Sequence, residues 1–210
     1  MEDFGFYLVM TNPKSGYEAC AAAAVQAGVR MLQLRMKRVP RAEVWEMARK
    51  IRALTRQTDT CFVVNDDPAL AAEVGADAVH VGQDDMPVAE VRWRYPSVKI
   101  VGLSTHNLEQ ARQAAAATGR ARPDYIGVGP VYATPTKDIP DTPLGPDQAG
   151  RMISVVPFPA VAIGGINADT LAAVKATGAR NFAVVRPVCG ADDPYRAICD
   201  LRAAWDAAVT

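Results

Sequence analysis

Short apolar segments alternate with Ala-rich amphipathic segments along the whole of this 210-residue chain. Eight of the apolar segments have the length and composition of buried strands, namely residues 6–10, 31–35, 61–65, 78–81, 99–104, 124–129, 159–165 and 181–185. Eight strand–helix pairs in a chain of this length predict an α/β fold, a (β/α)8 TIM barrel. An open doubly wound sheet is the alternative topology. We expect residues 1–210 to form a single domain.

The charge balance argues against polyanionic partners. The chain has 23 basic and 23 acidic residues and a formal net charge of zero, so no basic field attracts nucleic acid or an anionic membrane surface. The N-terminal segment is acidic and runs directly into a strand, unlike a signal peptide, and no apolar run approaches the roughly 20 residues that cross a bilayer. We expect a cytoplasmic protein with small-molecule partners. The sequence leaves open whether it forms a homo-oligomer.

Acidic residues follow two consecutive strands. Asn65, Asp66 and Asp67 come at the end of one, and Asp84 and Asp85 follow the next. Neighbouring parallel strands lie about 4.8 Å apart, so Asp66 and Asp85 could lean towards one point. Two carboxylates together with substrate phosphates are a common way of holding Mg²⁺. The alternative is that these acids cap the helices that follow.

Polar residues alternate with apolar ones at the end of the second predicted strand. Gln33, Arg35 and Lys37 therefore face the same way, which in a barrel is inward. Buried cations need a partner, and guanidinium and ammonium groups bind phosphate well. A bound anion would satisfy Arg35 and Lys37. An ion pair with Asp66 or another acid is the alternative.

Two later loops carry features of anion sites. Gly164 and Gly165 follow the seventh strand, where barrels frequently bind phosphate through backbone N–H groups. Thr134, Thr136 and Lys137 lie in the longest loop, residues 132–144, and offer two hydroxyls and an ammonium. A tight turn at the glycines and a solvated flexible turn at the threonines are the alternatives.

The remaining reactive side chains give weaker signals. Ser104 and His106 follow the fifth strand, whereas His80 lies inside the fourth and is expected to be a packed histidine. No Ser or Cys is paired with a base in the sequence, so a covalent enzyme intermediate has no support. The acids, the cations and the glycine loop together suggest two phosphorylated substrates, or one with phosphates at both ends.

Six ordered motifs that span most of the chain resemble one known family, thiamine-phosphate synthase. They are QLRMK (33–37), ND (65–66), HVGQDDMP (80–87), GLSTH (102–106), GVGPVYATPTK (127–137) and AIGGI (162–166). The resemblance implies a (β/α)8 barrel that joins hydroxymethylpyrimidine diphosphate to hydroxyethylthiazole phosphate and releases diphosphate. It also implies a dissociative mechanism, in which diphosphate leaves first and the thiazole nitrogen captures the pyrimidine methylene cation.

The resemblance implies a role for each residue that matches a motif. Mg²⁺ would be held by Asp66 and Asp85, and the pyrimidine would be contacted by Gln33. The diphosphate would be contacted by Arg35, Lys37, Asn65, Ser104 and Lys137. The thiazole phosphate would be held by Thr134, Thr136 and the Gly165 amide.

One position departs from the family pattern. After the eighth strand the family commonly carries a small residue such as Ser, followed by backbone N–H donors to the thiazole phosphate. This chain has Val185, Arg186 and Pro187 there, and proline has no N–H to donate. We expect the Arg186 guanidinium to replace the missing donor.

Three other functions are compatible with the same fold. A thiazole tautomerase-like relative shares the barrel but typically lacks the Asn-Asp pair, the second acid and the Thr-x-Thr-Lys loop. A catalytically silent ligand-binding barrel would not need a metal to bind diphosphate. A phosphosugar isomerase would need an acid/base pair, for which only Asp66 and Asp85 are candidates.

Overall fold

The computed structural model describes residues 1–136 and 142–208. Its eight parallel strands form a closed barrel in chain order. They are β1 Phe6–Met10, β2 Met31–Leu34, β3 Cys61–Asn65, β4 Ala78–Val81, β5 Ile100–Thr105, β6 Tyr125–Val128, β7 Ala160–Ile163 and β8 Asn181–Val184. Phe6 of β1 pairs with Phe182 of β8, which closes the ring. The barrel prediction is confirmed, and the open sheet is wrong.

Helices follow the strands and cover the outside of the barrel. They are α1 Tyr17–Gln26, α2 Arg41–Thr55, α3 Pro68–Val74, α4 Val88–Arg94, α5 Leu108–Ala116, α6 Gly145–Ser154, α7 Leu171–Ala176, α8 Arg186–Cys189 and α9 Pro194–Ala207. The short helix α8 and a 3₁₀ turn at Gly119–Ala121 were not expected from the sequence pattern. None of the helices within the described ranges is long and apolar enough to cross a membrane.

The strands bury both of their faces, which explains their nearly continuous apolar sequences. One set of side chains, including Leu8 and Met10, packs outward against the helices. A smaller set fills the barrel interior and includes Tyr7, Val63 and Tyr125. Because the interior is packed with side chains, the barrel is not an open pore, and room for a ligand lies at its mouth.

Some of the strands end earlier than the apolar pattern predicted. β2 ends at Leu34 rather than residue 35, and β7 ends at Ile163, which leaves Gly164 and Gly165 in the loop. Helix α3 begins where the Asp67 side chain accepts a hydrogen bond from the Leu70 N–H, 2.8 Å away. Asp67 is therefore a helix cap, whereas the Asp66 side chain caps no helix.

Candidate active site

A cavity of about 410 Å³ opens at the carboxyl ends of the strands. Eight of the site residues predicted from the sequence line it: Gln33, Arg35, Asn65, Ser104, Thr134, Thr136, Gly165 and Arg186. Lys137 lies outside the described residues. Residues from β2, β3, β5 and the loops after β6, β7 and β8 thus meet in one place, as they do in barrel enzymes generally.

Two guanidinium groups in the cavity wall are left for a ligand. Arg35 and Arg186 line the cavity, and neither side chain has a hydrogen-bond or ion-pair partner among residues 1–136 and 142–208. The backbone at Arg35 is anchored, because its N–H donates to the Met10 carbonyl at 3.0 Å. A fixed backbone that carries an unpaired cation is suited to receiving an anionic substrate.

The two predicted metal ligands, Asp66 and Asp85, lie beside this cavity and close enough together for Asp66 to raise the pKa of Asp85. The Asp85 carboxylate accepts a hydrogen bond from the Gly82 N–H at 2.6 Å. Burial raises the pKa of Asp85, and the neighbouring Asp66 carboxyl raises it further. A cation bound between the two carboxyl groups would relieve this repulsion.

The backbone turns sharply to bring Asp66 to this position. Its φ is 61°, in the left-handed region that few non-glycine residues adopt. The Asp66 N–H donates to the His80 carbonyl at 2.8 Å, which ties the turn to β4. Strained turns of this kind are found at functional sites, where the surrounding contacts maintain them.

Lys37 is not placed as the alternating pattern predicted. It is exposed, lies outside the cavity and forms an ion pair with Asp66. Because β2 ends at Leu34, the alternation of inward-facing side chains does not continue as far as residue 37. The expectation that Lys37 faces inward is therefore wrong, and the acid-partner alternative is observed. Contact of Lys37 with diphosphate stays a prediction.

The glycine pair lets two loops pack against each other. A Cβ at Gly164 would lie 2.5 Å from the Pro130 Cα, and one at Gly165 would lie 2.6 Å from the Tyr132 Cβ. Backbone hydrogen bonds join the same segments. The Val131 N–H donates to the Ile163 carbonyl at 2.9 Å, and the Tyr132 N–H donates to the Gly164 carbonyl at 3.0 Å. A residue larger than glycine would not fit at either position, because the two segments pack too closely.

This packing brings the threonines next to the glycine loop. Thr134 Oγ1 donates to Thr136 Oγ1 over 3.0 Å, and both residues line the cavity. Within the described part of the chain, the Gly165 N–H has no acceptor. Two hydroxyls and the Gly165 N–H therefore lie together at one corner of the cavity. This corner offers hydrogen-bond donors, whereas Asp66 and Asp85 offer carboxylates.

Three cavity residues were missed as site residues in the sequence. Tyr7, His80 and Tyr125 line the cavity. His80 Nε2 lies 2.9 Å from Ser104 Oγ, so the expectation that no serine is paired with a base is wrong. Their position in the sequence could have identified them. A strand residue that faces into the barrel and carries a hydroxyl or a ring nitrogen needs a hydrogen-bond partner there. His106 also lines the cavity and donates from Nδ1 to the Gly129 carbonyl at 2.7 Å.

Comparisons with known proteins agree with this geometry. The family model described as thiamine monophosphate synthase matches residues 6–188. The thiamine-phosphate synthase of Archaeoglobus fulgidus is 37% identical over 203 residues, which cover 96% of this chain and 93% of that protein. The chain belongs to the thiamine-phosphate synthase family. The synthase of Chloroflexus aurantiacus is 43% identical over 187 residues, covering 89% of this chain and 84% of that protein.

Two solved structures resemble the chain, and one of them supports the same family. The thiamine phosphate pyrophosphorylase of Pyrococcus furiosus superimposes with a TM-score of 0.86 at 31% identity, covering 99% of this chain and 98% of that one. A 3-hexulose-6-phosphate synthase superimposes with a TM-score of 0.70 at 18% identity and covers 95% of this chain. That second likeness shows the fold alone, whereas the first supports membership of the thiamine-phosphate synthase family.

Proposed function

We propose that this chain joins hydroxymethylpyrimidine diphosphate to hydroxyethylthiazole phosphate, giving thiamine phosphate and diphosphate. The observation that carries the proposal is the arrangement of charge at the barrel mouth. Arg35 and Arg186, whose guanidinium groups have no hydrogen-bond or ion-pair partner among the described residues, line one cavity, and the Asp66–Asp85 pair lies beside it. A substrate with a metal-bound diphosphate at one end and a second phosphate beyond it needs both kinds of group.

The two acids fit Mg²⁺ better than a metal held by protein alone. Within the described ranges, no group of three or more His, Cys, Asp or Glu side chains could hold a metal ion. Mg²⁺ usually takes one or two carboxylates and completes its coordination with water and phosphate oxygens. Asp66 and Asp85 would hold it, and when bound it would neutralise charge on the departing diphosphate.

The chain's own residues would bind and orient the pyrimidine diphosphate. Arg35 and Asn65 reach the cavity from β2 and β3, and Ser104 from β5. Their N–H and O–H donors would stabilise the diphosphate as the bond to the pyrimidine methylene carbon breaks. Lys37 and Lys137 would add positive charge, and Gln33 would contact the pyrimidine ring. These roles account for catalysis by positioning and charge stabilisation.

The opposite corner would hold the thiazole phosphate. The Thr134 and Thr136 hydroxyls are hydrogen-bonded to each other, and the Gly165 N–H has no acceptor within the described ranges, so this corner can offer donors to a phosphate. Arg186 would add a guanidinium in place of the backbone donor that Pro187 lacks. This arrangement would present the thiazole nitrogen to the methylene carbon once diphosphate has begun to leave.

A coupled-product assay tests the proposal. Purified protein is incubated with Mg²⁺ and both substrates, or with each substrate alone, and thiamine phosphate and diphosphate are quantified. We expect equimolar products only when both substrates are present. Isomerisation of a thiazole without diphosphate release would support the tautomerase alternative, and binding without any product would support the silent barrel.

A further inference from the structure

Five side chains form a continuous hydrogen-bonded chain across the barrel. Gln33 Nε2 donates to the Tyr7 hydroxyl at 2.6 Å, and the Tyr7 and Tyr125 hydroxyls are 3.0 Å apart. The Tyr125 hydroxyl lies 3.0 Å from His80 Nδ1. The chain ends where His80 Nε2 lies 2.9 Å from Ser104 Oγ. It therefore links a residue on β2 to one on β5 through β1, β6 and β4.

The barrel is built to accommodate these contacts. Gly102 lies between His80 and Tyr125 in the sheet and pairs with both. A Cβ at Gly102 would lie 2.2 Å from the Tyr125 ring and 2.5 Å from His80 Nδ1. Glycine at this strand position is required because the two side chains meet directly above it.

Three of the five hydrogen-bonded side chains are buried. Tyr125 is 0% exposed, Tyr7 is 2% exposed and Gln33 is 3% exposed. Phe4 packs edge-on against both tyrosine rings, at centroid distances of 6.0 and 5.9 Å. Burial raises the pKa of Tyr7 and that of Tyr125 well above the ordinary tyrosine range, so both hydroxyls keep their protons. Buried hydroxyls of this kind need a donor and an acceptor each.

Donation by the Gln33 amide would set one direction for every proton in this hydrogen-bonded chain. Because Tyr7 accepts from Gln33, its own proton is available to Tyr125, and the Tyr125 proton is then available to His80 Nδ1. Nδ1 is then an acceptor, so the neutral ring carries its proton on Nε2 and donates it to Ser104 Oγ. The Ser104 proton remains for a group in the cavity.

We propose that Tyr7, Tyr125 and His80 are positioning residues: this relay couples Gln33 to Ser104 and keeps the Ser104 hydroxyl a hydrogen-bond donor, the role that the proposed function gives it. The link to catalysis rests on the proposed function, in which Gln33 and Ser104, the two ends of the relay, contact the same pyrimidine diphosphate. The relay also explains why a Ser–His pair is no nucleophile here. A ring that donates to Ser104 cannot take its proton.

The opposite direction has a different consequence, which makes the relay testable. If His80 carried its proton on Nδ1, Nε2 would accept from Ser104 and could act as a base. Ser104 would then present only lone pairs to the cavity and would repel a diphosphate oxygen. The position of one proton on His80 therefore distinguishes a donor serine from an activated one.

Nitrogen NMR of the ligand-free protein tests the relay independently of activity. The chain has two histidines, so a His106→Asn variant assigns the His80 signals. At mildly alkaline pH we expect Nε2 to be protonated and Nδ1 to show the shift of a hydrogen-bonded acceptor. Tyr125→Phe should move the Nδ1 signal towards that of a free acceptor, whereas Tyr195→Phe, at an exposed tyrosine, should not. A proton on Nδ1, or an unmoved signal in Tyr125→Phe, would overturn the proposal.

A double-mutant cycle tests the coupling to Ser104. Tyr125→Phe should lower kcat/KM for the pyrimidine diphosphate about tenfold in the wild-type background and less than about twofold with Ser104→Ala present. The KM for thiazole phosphate should not change. Equal losses in both backgrounds would overturn the coupling. Tyr7→Phe breaks the relay one link earlier and replaces Tyr125→Phe if that variant does not fold.

The two tests also separate the relay from the proposed function. Absence of turnover in the wild-type protein would contradict the proposed function alone. The relay itself would still be accepted or rejected by the His80 nitrogen signals, which require no substrate.

Discussion

The carboxyl groups of Asp66 and Asp85 interact directly at the barrel mouth, although they follow different strands and lie 19 positions apart in the sequence. Asp66 is also paired with Lys37, while Asp85 is held by the Gly82 N–H. One cation and one amide therefore face two acids. A bound divalent ion would balance the remaining negative charge. In the ligand-free protein, repulsion between the two carboxylates should lower the stability by a measurable amount.

We expect Asp85→Asn to stabilise the ligand-free protein at neutral pH. Between the ordinary aspartate pKa near 3.8 and the raised pKa of Asp85, the folded state binds more protons than the unfolded state, so stability falls as pH rises and stays lower above that window. In Mg²⁺-free buffer the variant should melt about 1–3 °C higher than wild type at neutral pH, and the gap should close near pH 4.

Thermal melts with and without Mg²⁺ check this expectation. Asp84→Asn, which alters an exposed neighbouring acid, serves as the control and should show no gain. Addition of Mg²⁺ should raise the Tm of wild type more than that of Asp85→Asn. A lower Tm for Asp85→Asn in Mg²⁺-free buffer at neutral pH would mean that the two acids do not repel each other.

We expect Arg186→Ala to weaken the binding of thiazole phosphate selectively. Arg186 lines the cavity, and its guanidinium makes no hydrogen bond or ion pair with the described residues. Loss of a charge-assisted hydrogen bond should raise the KM for thiazole phosphate about tenfold and leave the KM for the pyrimidine diphosphate unchanged. Arg196→Ala, at an exposed arginine on α9, is the control. Unchanged thiazole phosphate binding would remove Arg186 from the site.

We expect Gly165→Ala to disrupt the corner that holds the threonines. The new methyl group would meet the Tyr132 Cβ at 2.6 Å and the Ala133 carbonyl at 2.8 Å. Overpacking of this kind costs about 1–3 kcal/mol, and displacement of the loop should raise the KM for thiazole phosphate.

Gly119→Ala separates the clash from backbone strain. Gly119 has a φ of 57°, close to the 65° of Gly165, but a Cβ there would meet nothing within 4 Å. Denaturant melts should therefore show a larger loss of stability for Gly165→Ala than for Gly119→Ala. Equal losses would indicate that the loops do not pack as closely as described.

The barrel and most of its site were predictable because both depend on local patterns. Alternating apolar and amphipathic segments determine the order of strands and helices, and polar residues directly after a strand must lie at one end of a barrel. Asn65, Ser104 and Arg186 could be placed at the mouth on that basis alone, and the structure puts all three in the cavity wall.

The relay could not be predicted because it depends on contacts between distant strands. Tyr7 and Tyr125 are 118 positions apart and read as ordinary apolar residues of buried strands. Their hydroxyl partners become visible only when the barrel closes. The failure at Lys37 has a different cause, since the alternating rule was extended past the end of β2 at Leu34. Cytoplasmic location and self-association stay predictions.

The most direct test of the central claim is diphosphate release from the two substrates as a function of Mg²⁺ concentration, for wild type, Asp85→Asn and the control Asp84→Asn. We predict release that requires both substrates and the metal, a loss of at least about a hundredfold in kcat/KM for Asp85→Asn, and wild-type behaviour for Asp84→Asn. Release that is independent of Mg²⁺, or unimpaired in Asp85→Asn, would contradict a metal–diphosphate site at the Asp66–Asp85 pair.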